Sequence, residues 1–264
     1  MNHSRAPQAT QQALLLRLLK KNADTVFGRE HRFCAIKTER DYRRLVPTRD
    51  YEDFRPYVNR LIAGEKSVLT TEQPFMFTMT SGTTGEPKYI PVTRESEEQG
   101  SGIMRQWLYR ILRDHPHSLN HASVGVVSPA IEGYTTAGIP YGSISGRIYQ
   151  RIPAIVRRSY AIPYPVFELK NYEERYRAIA RFSLAKLVSF ISTPNPSTLI
   201  RLAQVVTTHK EVLIRAIYDG TLGFESSEQP ELVAKLKPFL KPQPHRAKQL
   251  EKIADPVSRY RSTR

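Results

Sequence analysis

Apolar positions along this chain recur at two spacings, and the changes between them mark its elements. In "QQALLLRLLKKNADT", Leu14, Leu15, Leu18 and Leu19 fall on one face at helical spacing, with Lys20 and Lys21 where a helix dipole favours positive charge. "TERDYRRL" predicts a second helix, capped by Thr38 and ended before Pro47. "RDYEDFRPYVNRLIAGE" predicts an N-capped element from Asp50. Proline is tolerated best in a first turn, so the main helix is expected to begin at Pro56, face Tyr57, Leu61 and Ile62 to the core, and end at Gly64. "PFMFTMT" alternates large apolar and smaller residues and reads as a strand. "YIPVT" resumes extended structure, with Pro91 restricting it to an edge or a bulge.

The pattern turns helical again from Glu95 to Arg113, with Ile103, Trp107, Leu108 and Leu112 as its apolar stripe. "ASVGVVSPA" reads as a short buried strand. The stretch from Glu132 to Pro165 is rich in Gly, Pro, Ser and Tyr. Loops of this length in compact domains tend to be functional or disordered, and the regular Tyr and Ile favour a folded loop on the substrate side. "NYEERYRAIARFSLA" predicts a helix capped by Asn171, "KLVSFIS" a strand, and "NPSTLIRLAQVV" a helix with Pro196 at its start. Further helices follow in "KEVLIRAIYDG" and "PELVAKLKPFL". Strands and helices alternate, helices being more numerous, which predicts an α/β layered sheet with many helices. No fixed-period repeat is visible.

Composition adds bounds. At 264 residues and 40% hydrophobic, the chain can bury a sizeable core. No apolar run is long enough to span a membrane, and Arg17 interrupts the one leader-like stretch, "ALLLRLLKK". These features predict a cytoplasmic protein without a membrane partner. Cys34 is the single cysteine, which excludes an internal disulfide, and is expected to be half-buried. The net charge of +15 would attract nucleic acid or phosphorylated ligands. The basic residues are scattered among acidic ones, however, as in "KTERDYRRL", which suits paired helix faces more than a nucleic-acid module. His115, His117 and His121 lie close in "DHPHSLNH" but lack one-face helical spacing, so a solvated loop explains them better than a zinc or nickel site. No metal ligand is assigned.

The chemistry concentrates in "TMTSGTTGEPKYIPVT", between the predicted strand and the extended segment. Gly82 and Gly85 let the backbone approach a ligand closely. Thr80, Ser81, Thr83 and Thr84 bring hydroxyls, successive N–H groups can form an anion nest, and Lys88 adds a positive charge. The spacing is not that of a Walker loop, which needs four residues between its glycines and a helix after its lysine. A plain hairpin turn is the alternative, but nine residues of matched type favour a phosphate loop.

"TSGTTGEPK" resembles the phosphate-binding signature of the adenylate-forming superfamily: acyl-CoA synthetases, peptide-synthetase adenylation domains and luciferases. "KKNADTVFGREHRF", "YRRLVPTRDYEDFRPYVNRLIAGEKSVLT" and "YIPVT" narrow the resemblance to the auxin-responsive promoter family, whose plant members are acyl acid amido synthetases. "SPAIEGYTTAGIPYGSISG" and "NPSTLIRLAQ" resemble its bacterial branch. The resemblance extends from Leu14 to Leu240. It implies ATP and Mg²⁺ as cofactors, a carboxylic acid and an amine as substrates, and an acyl-adenylate between them. It assigns Ser81, Gly82, Thr83, Thr84, Gly85 and Lys88 to the ATP phosphates. Tyr134, Gly138, Pro140, Tyr141 and Gly142 either shape the acyl or nucleotide pocket or form a structural loop over the core.

Family members run to roughly twice this length, with later nucleotide motifs and a small mobile C-terminal domain. The expected organisation is therefore an N-terminal tail (1–12), a partial N-terminal adenylation domain (13–245) and an irregular basic tail (246–264), with the small domain absent. The leading expectation is ATP-dependent activation of a carboxylic acid as an acyl-adenylate followed by amide formation, in a truncated family member with part of the nucleotide site. The alternatives are a non-catalytic nucleotide-binding remnant or interaction module and, least favoured, a basic nucleic-acid binder.

Overall fold

Side-chain caps fix where several helices begin, and the computed structural model places those caps in residues 6–80, 86–225 and 228–254, which it describes. Along the chain come α1 (Pro7–Lys21), α2 (Val26–Glu30), α3 (Glu39–Leu45) and α4 (Tyr51–Ile62), then strands β1 (Met76–Thr80) and β2 (Lys88–Val92). Helix α5 (Arg94–Asp114), strand β3 (Ala122–Gly125) and the short strands β4 (Gly133–Tyr134) and β5 (Pro140–Gly142) follow. Next are α6 (Ile144–Arg151), α7 (Ala154–Arg157), α8 (Tyr172–Leu184) and strand β6 (Val188–Ser192). Helices α9 (Ser197–Thr208), α10 (Lys210–Asp219), α11 (Pro230–Leu236) and α12 (Pro244–Ala254) complete the order. The chain divides into two compact units, Met1–Gly102 with Ile131–Gly142, and Ile103–Ala130 with Ser143–Arg264.

The first unit is built on a mixed four-stranded sheet of order β2-β1-β5-β4. Strand β1 pairs antiparallel with β2, Met76 opposite Val92 through to Thr80 opposite Lys88. On its other side it runs parallel to β5, Phe77 opposite Tyr141 and Thr78 opposite Gly142. Pro91 sits on β2, an edge strand, where a missing N–H leaves no ladder bond unmade. Thr38 and Asp50 close capping boxes at the starts of α3 and α4, each accepting from the backbone N–H three residues on. Helix α4 therefore begins at Tyr51 and passes through Pro56, five residues earlier than the proline argument predicts. The box holds the first turn, and the helix accommodates the proline, whose missing N–H and crowding of the Glu52 carbonyl are its two costs. Val58 and Leu61 of α4 pack with Val68 and Phe77 as the core of this unit. Gly64 ends the helix region with φ +91°.

In the second unit β3 and β6 pair in parallel, and α8 supplies the centre of the core. Asn171 caps α8 by accepting from Glu173 and Glu174 N–H at 3.0 and 3.1 Å. Ala178, Ile179 and Phe182 of that helix meet Val166, Phe167 and Leu236. Arg181, only 1% exposed, lies among them. Its Nε donates to Thr221 O at 2.8 Å, just past the end of α10, where a helix leaves carbonyls unpaired. Burial pushes its pKa down to about 10, which leaves it charged at neutral pH.

Several expectations change. Leu19 is buried, but Leu14 and Leu18 are exposed, so only part of the α1 stripe packs. Helix α5 keeps its stripe yet buries no residue; Ile103, Trp107 and Leu108 are exposed, and the Trp107 ring lies 6.4 Å from that of Phe190. Cys34 is exposed rather than half-buried. Helices extend outside the expected 13–245 body at both ends: α1 begins at Pro7, and α12 buries Ala247 and Leu250 against Ile217. No helix among the described residues is long and apolar enough to cross a membrane.

The buried guanidinium gives a stability test. Arg181→Ala removes the donor to Thr221 O and leaves a cavity, so unfolding by denaturant should lose about 2–4 kcal/mol. An unchanged unfolding midpoint would show that the Thr221 carbonyl finds another partner.

Candidate functional site

The strand pairing of the first unit sets out the candidate site. Thr80 and Lys88 stand opposite each other where β1 ends and β2 begins. Ser81, Gly82, Thr83, Thr84 and Gly85 lie outside the described residues; the two feet of their connection are described. Parallel pairing brings the carboxyl end of β5 alongside that of β1. In α/β sheets, ligands collect outside the carboxyl ends of parallel strands.

Lys88 is half-buried, and among the described residues its ammonium makes neither a hydrogen bond nor an ion pair. Its close contact is with the ring of Tyr51, 5.3 Å from Nζ to the centroid. The Arg55 guanidinium lies 5.1 Å from the same ring. Arg55 is fixed by Glu52 through Nε–Oε2 and Nη2–Oε1 bonds of 2.6 and 2.9 Å, and its Nη1 reaches Glu86 at 3.5 Å. Glu52 is held below the ordinary carboxylate range, first by its hydrogen bond from Arg55 and then by the Arg55 and Lys88 charges. The Tyr51 hydroxyl donates to Tyr89 O at 3.0 Å and accepts from Tyr89 N–H at 2.7 Å. Two cations and a phenol thus converge at the foot of the hairpin.

The residues expected around the substrate loop fall into a tight hairpin. Tyr134 pairs with Pro140, and Gly138 makes the turn with φ +76°, a conformation that glycine adopts without strain. The Tyr134 side chain is exposed, at 63%. Tyr141 packs edge-on to Tyr89 at 5.2 Å, and Gly142 ends β5 beside Thr78. One strand separates Tyr141 from the β2 edge that carries Lys88, a gap of ~10 Å. The rest of the Glu132–Pro165 stretch includes helices α6 and α7. Ser143 caps α6, and Tyr149, Ile162 and Phe167 are buried in the core of the second unit.

Tyr51 and Arg55 are site residues that the sequence reading passed over. Their four-residue spacing put them on one helix face, but nothing local said what that face meets. In the second unit, Asp114, His115, His117, His121 and Ser189 line an open hollow of about 540 Å³. Among the described residues, no three His, Cys, Asp or Glu side chains come together as a metal site.

Comparison with known structures first gives the fold. An acyl acid amido synthetase, GH3.15, superposes with a TM-score of 0.73 at 17% identity, over 92% of this chain and 43% of that one. The same enzyme in complex with 2,4-DB gives 0.74 at 20% identity, over 90% and 42%. The likeness shows the fold: the mixed α/β fold of that synthetase, matched over less than half of its chain. A family model, the GH3 family N-terminal domain, matches residues 2–264, and the chain belongs to that family. Indole-3-acetic acid-amido synthetase GH3.5 of Arabidopsis thaliana is 26% identical over 247 residues, 89% of this chain and 40% of that protein. Jasmonoyl--L-amino acid synthetase JAR4 of Nicotiana attenuata is 22% identical over 142 residues, 53% of this chain and 24% of its own. The chain spans less than half the length of each of these relatives.

The Arg55–Glu52 pair makes a pH prediction. Glu52 has a lowered folded-state pKa, so the pair's contribution is complete above the ordinary value of 4.5 and is lost as pH falls through the depressed one. Glu52→Gln should therefore lower the thermal midpoint at pH 7, and the difference should shrink as pH falls below 4.5 and through the depressed value. A gap that does not narrow on acidification would assign the effect to something other than the carboxylate charge.

Proposed function

We propose that this chain carries the phosphate-gripping part of an ATP-dependent acid–amine ligase, within a partial N-terminal adenylation domain. The observation that carries this reading is Lys88, a half-buried cation that among the described residues has no hydrogen bond or ion pair, at one foot of the TSGTTGEPK connection. Taking a cation partly out of water is costly unless an anion answers it, so such an ammonium is set for a charged ligand. The relatives named above as amido synthetases support the same assignment.

In the proposed reaction an acid's carboxylate oxygen attacks the α-phosphorus of ATP, and pyrophosphate leaves. The nitrogen of an amine then attacks the acyl carbon, forming the amide and releasing AMP. Lys88 would hold β- or γ-phosphate oxygens in a charge-assisted bond, and the hydroxyls and N–H groups of Ser81, Gly82, Thr83, Thr84 and Gly85 would complete the grip. Positive charge there also stabilises the negative charge that gathers on the departing pyrophosphate. Mg²⁺, which is bound mainly through phosphate oxygens and water in such sites, fits here as the nucleotide's own counter-ion.

The test is exchange of labelled pyrophosphate into ATP in the presence of indole-3-acetic acid, jasmonic acid or 2,4-DB. Exchange that depends on the acid is expected, and Lys88→Ala should lower it about 10- to 100-fold, the loss of one charge-assisted bond. ATP binding without exchange would make the chain a nucleotide-binding module. Binding to duplex DNA or RNA that weakens steeply with salt and ignores Lys88→Ala, with no ATP binding, would overturn the reading in favour of a nucleic-acid binder.

A further inference from the structure

Strand β2 is an edge strand, and an edge leaves every second residue with an N–H and a C=O facing outward. At Tyr89, next to Lys88, both outward groups are taken by one side chain. The Tyr51 hydroxyl gives its proton to Tyr89 O and receives the Tyr89 N–H, at 3.0 and 2.7 Å. It stands where a neighbouring strand would stand. Tyr51 can do this because it is the first residue of α4, and the Asp50 capping box fixes that first turn. Its ring carries the Lys88 ammonium at 5.3 Å and the Arg55 guanidinium at 5.1 Å. Arg55 is itself locked by Glu52, so it acts as a fixed like charge that restricts where Lys88 can go.

We propose that Tyr51 is a positioning residue for phosphate binding, its hydroxyl fixing the strand and its ring holding the Lys88 ammonium. The inference rests on the phosphate reading of Lys88 and adds a residue to that site. A lysine has a flexible four-carbon stem, and ordering it on ligand binding weakens affinity. An aromatic face that already gathers the ammonium removes part of that loss. The two parts of Tyr51 make separable contributions. The hydroxyl supports the sheet edge, and the ring supports the ligand.

Pyrophosphate binding by the full chain, measured by calorimetry alongside thermal unfolding, separates them. Tyr51→Phe should lower the unfolding midpoint, because Tyr89 loses two bonds, yet keep pyrophosphate affinity within about twofold. Tyr51→Leu should weaken binding about five- to tenfold, and adding Lys88→Ala to it should cost less than Lys88→Ala costs alone. If Tyr51→Leu does not fold, pentafluorophenylalanine at position 51 keeps the shape of phenylalanine while weakening the ring's attraction for a cation. It should bind pyrophosphate more weakly than Tyr51→Phe at equal stability. Equal losses of affinity in Tyr51→Phe and Tyr51→Leu, following stability, would reduce Tyr51 to a structural prop and overturn the inference. Failure of the phosphate reading looks different: the unmodified chain would not bind pyrophosphate, or Lys88→Ala would bind it as well as the parent does, and the inference would fall with it.

Discussion

Strand β1 constrains the first unit from both sides, antiparallel to β2 over five residue pairs and parallel to β5 over two. Side chains alternate along a strand, so a slip of one residue would turn Phe77 out of the core and carry Lys88 to the opposite face. Burial of Phe77 with Val58, Leu61 and Val68 opposes such a slip. The same burial therefore fixes where the connection after Thr80 starts and where it returns. Closing so short a connection costs little once its feet are set. The site depends first on apolar packing and only then on its own chemistry.

What could be read from sequence divides by the range of the forces involved. Thr38, Asp50 and Asn171 were legible as caps because a cap bonds within three residues of itself. Pro91 was legible as an edge residue because its missing N–H is a property of the residue alone. Pro56 misled, since the helix that begins at the Asp50 capping box accommodates it. Leu14, Leu18 and the α5 stripe misled differently: helical spacing shows that apolar residues share a face, not that anything covers it. The Gly- and Tyr-rich stretch looked like one loop because its composition is uniform. Tertiary pairing gives its first part to the sheet beside β1 and its last part to the core under α8. In the candidate site, Lys88 was legible from its motif and Tyr51 was not, because the link from Tyr51 to Tyr89 crosses 38 residues.

The excess of positive charge has a partly structural explanation. Arg181 donates to Thr221 O beyond α10, Arg246 to Leu184 O and Lys186 O at the end of α8, and Arg157 to Ile152 O after α6. Each meets carbonyls that a helix terminus leaves without a backbone partner, at the negative end of the dipole. Arg43, Arg55 and Arg60 pair with glutamates of their own unit. A guanidinium engaged in this way contributes to net charge but offers fewer donors to an outside anion. A pI near 10 is thus weak evidence for nucleic acid in this chain.

Among the described residues Lys88 differs from those arginines in having no such employment, and the reason lies in α4. Tyr51, Arg55 and Val58 follow one another at spacings of four and three, so they share one stripe of the helix. The C-terminal part of the stripe is buried against Phe77, which locks the helix against the sheet. The N-terminal part is thereby delivered to the hairpin foot, where it can answer Tyr89 with a hydroxyl and Lys88 with a ring. Neither group neutralises the ammonium. A carboxylate in the place of Tyr51 would hold Lys88 more firmly and would also compete with any phosphate for its charge. An aromatic face orients the cation while leaving its protons free, the combination that an anion-binding lysine needs.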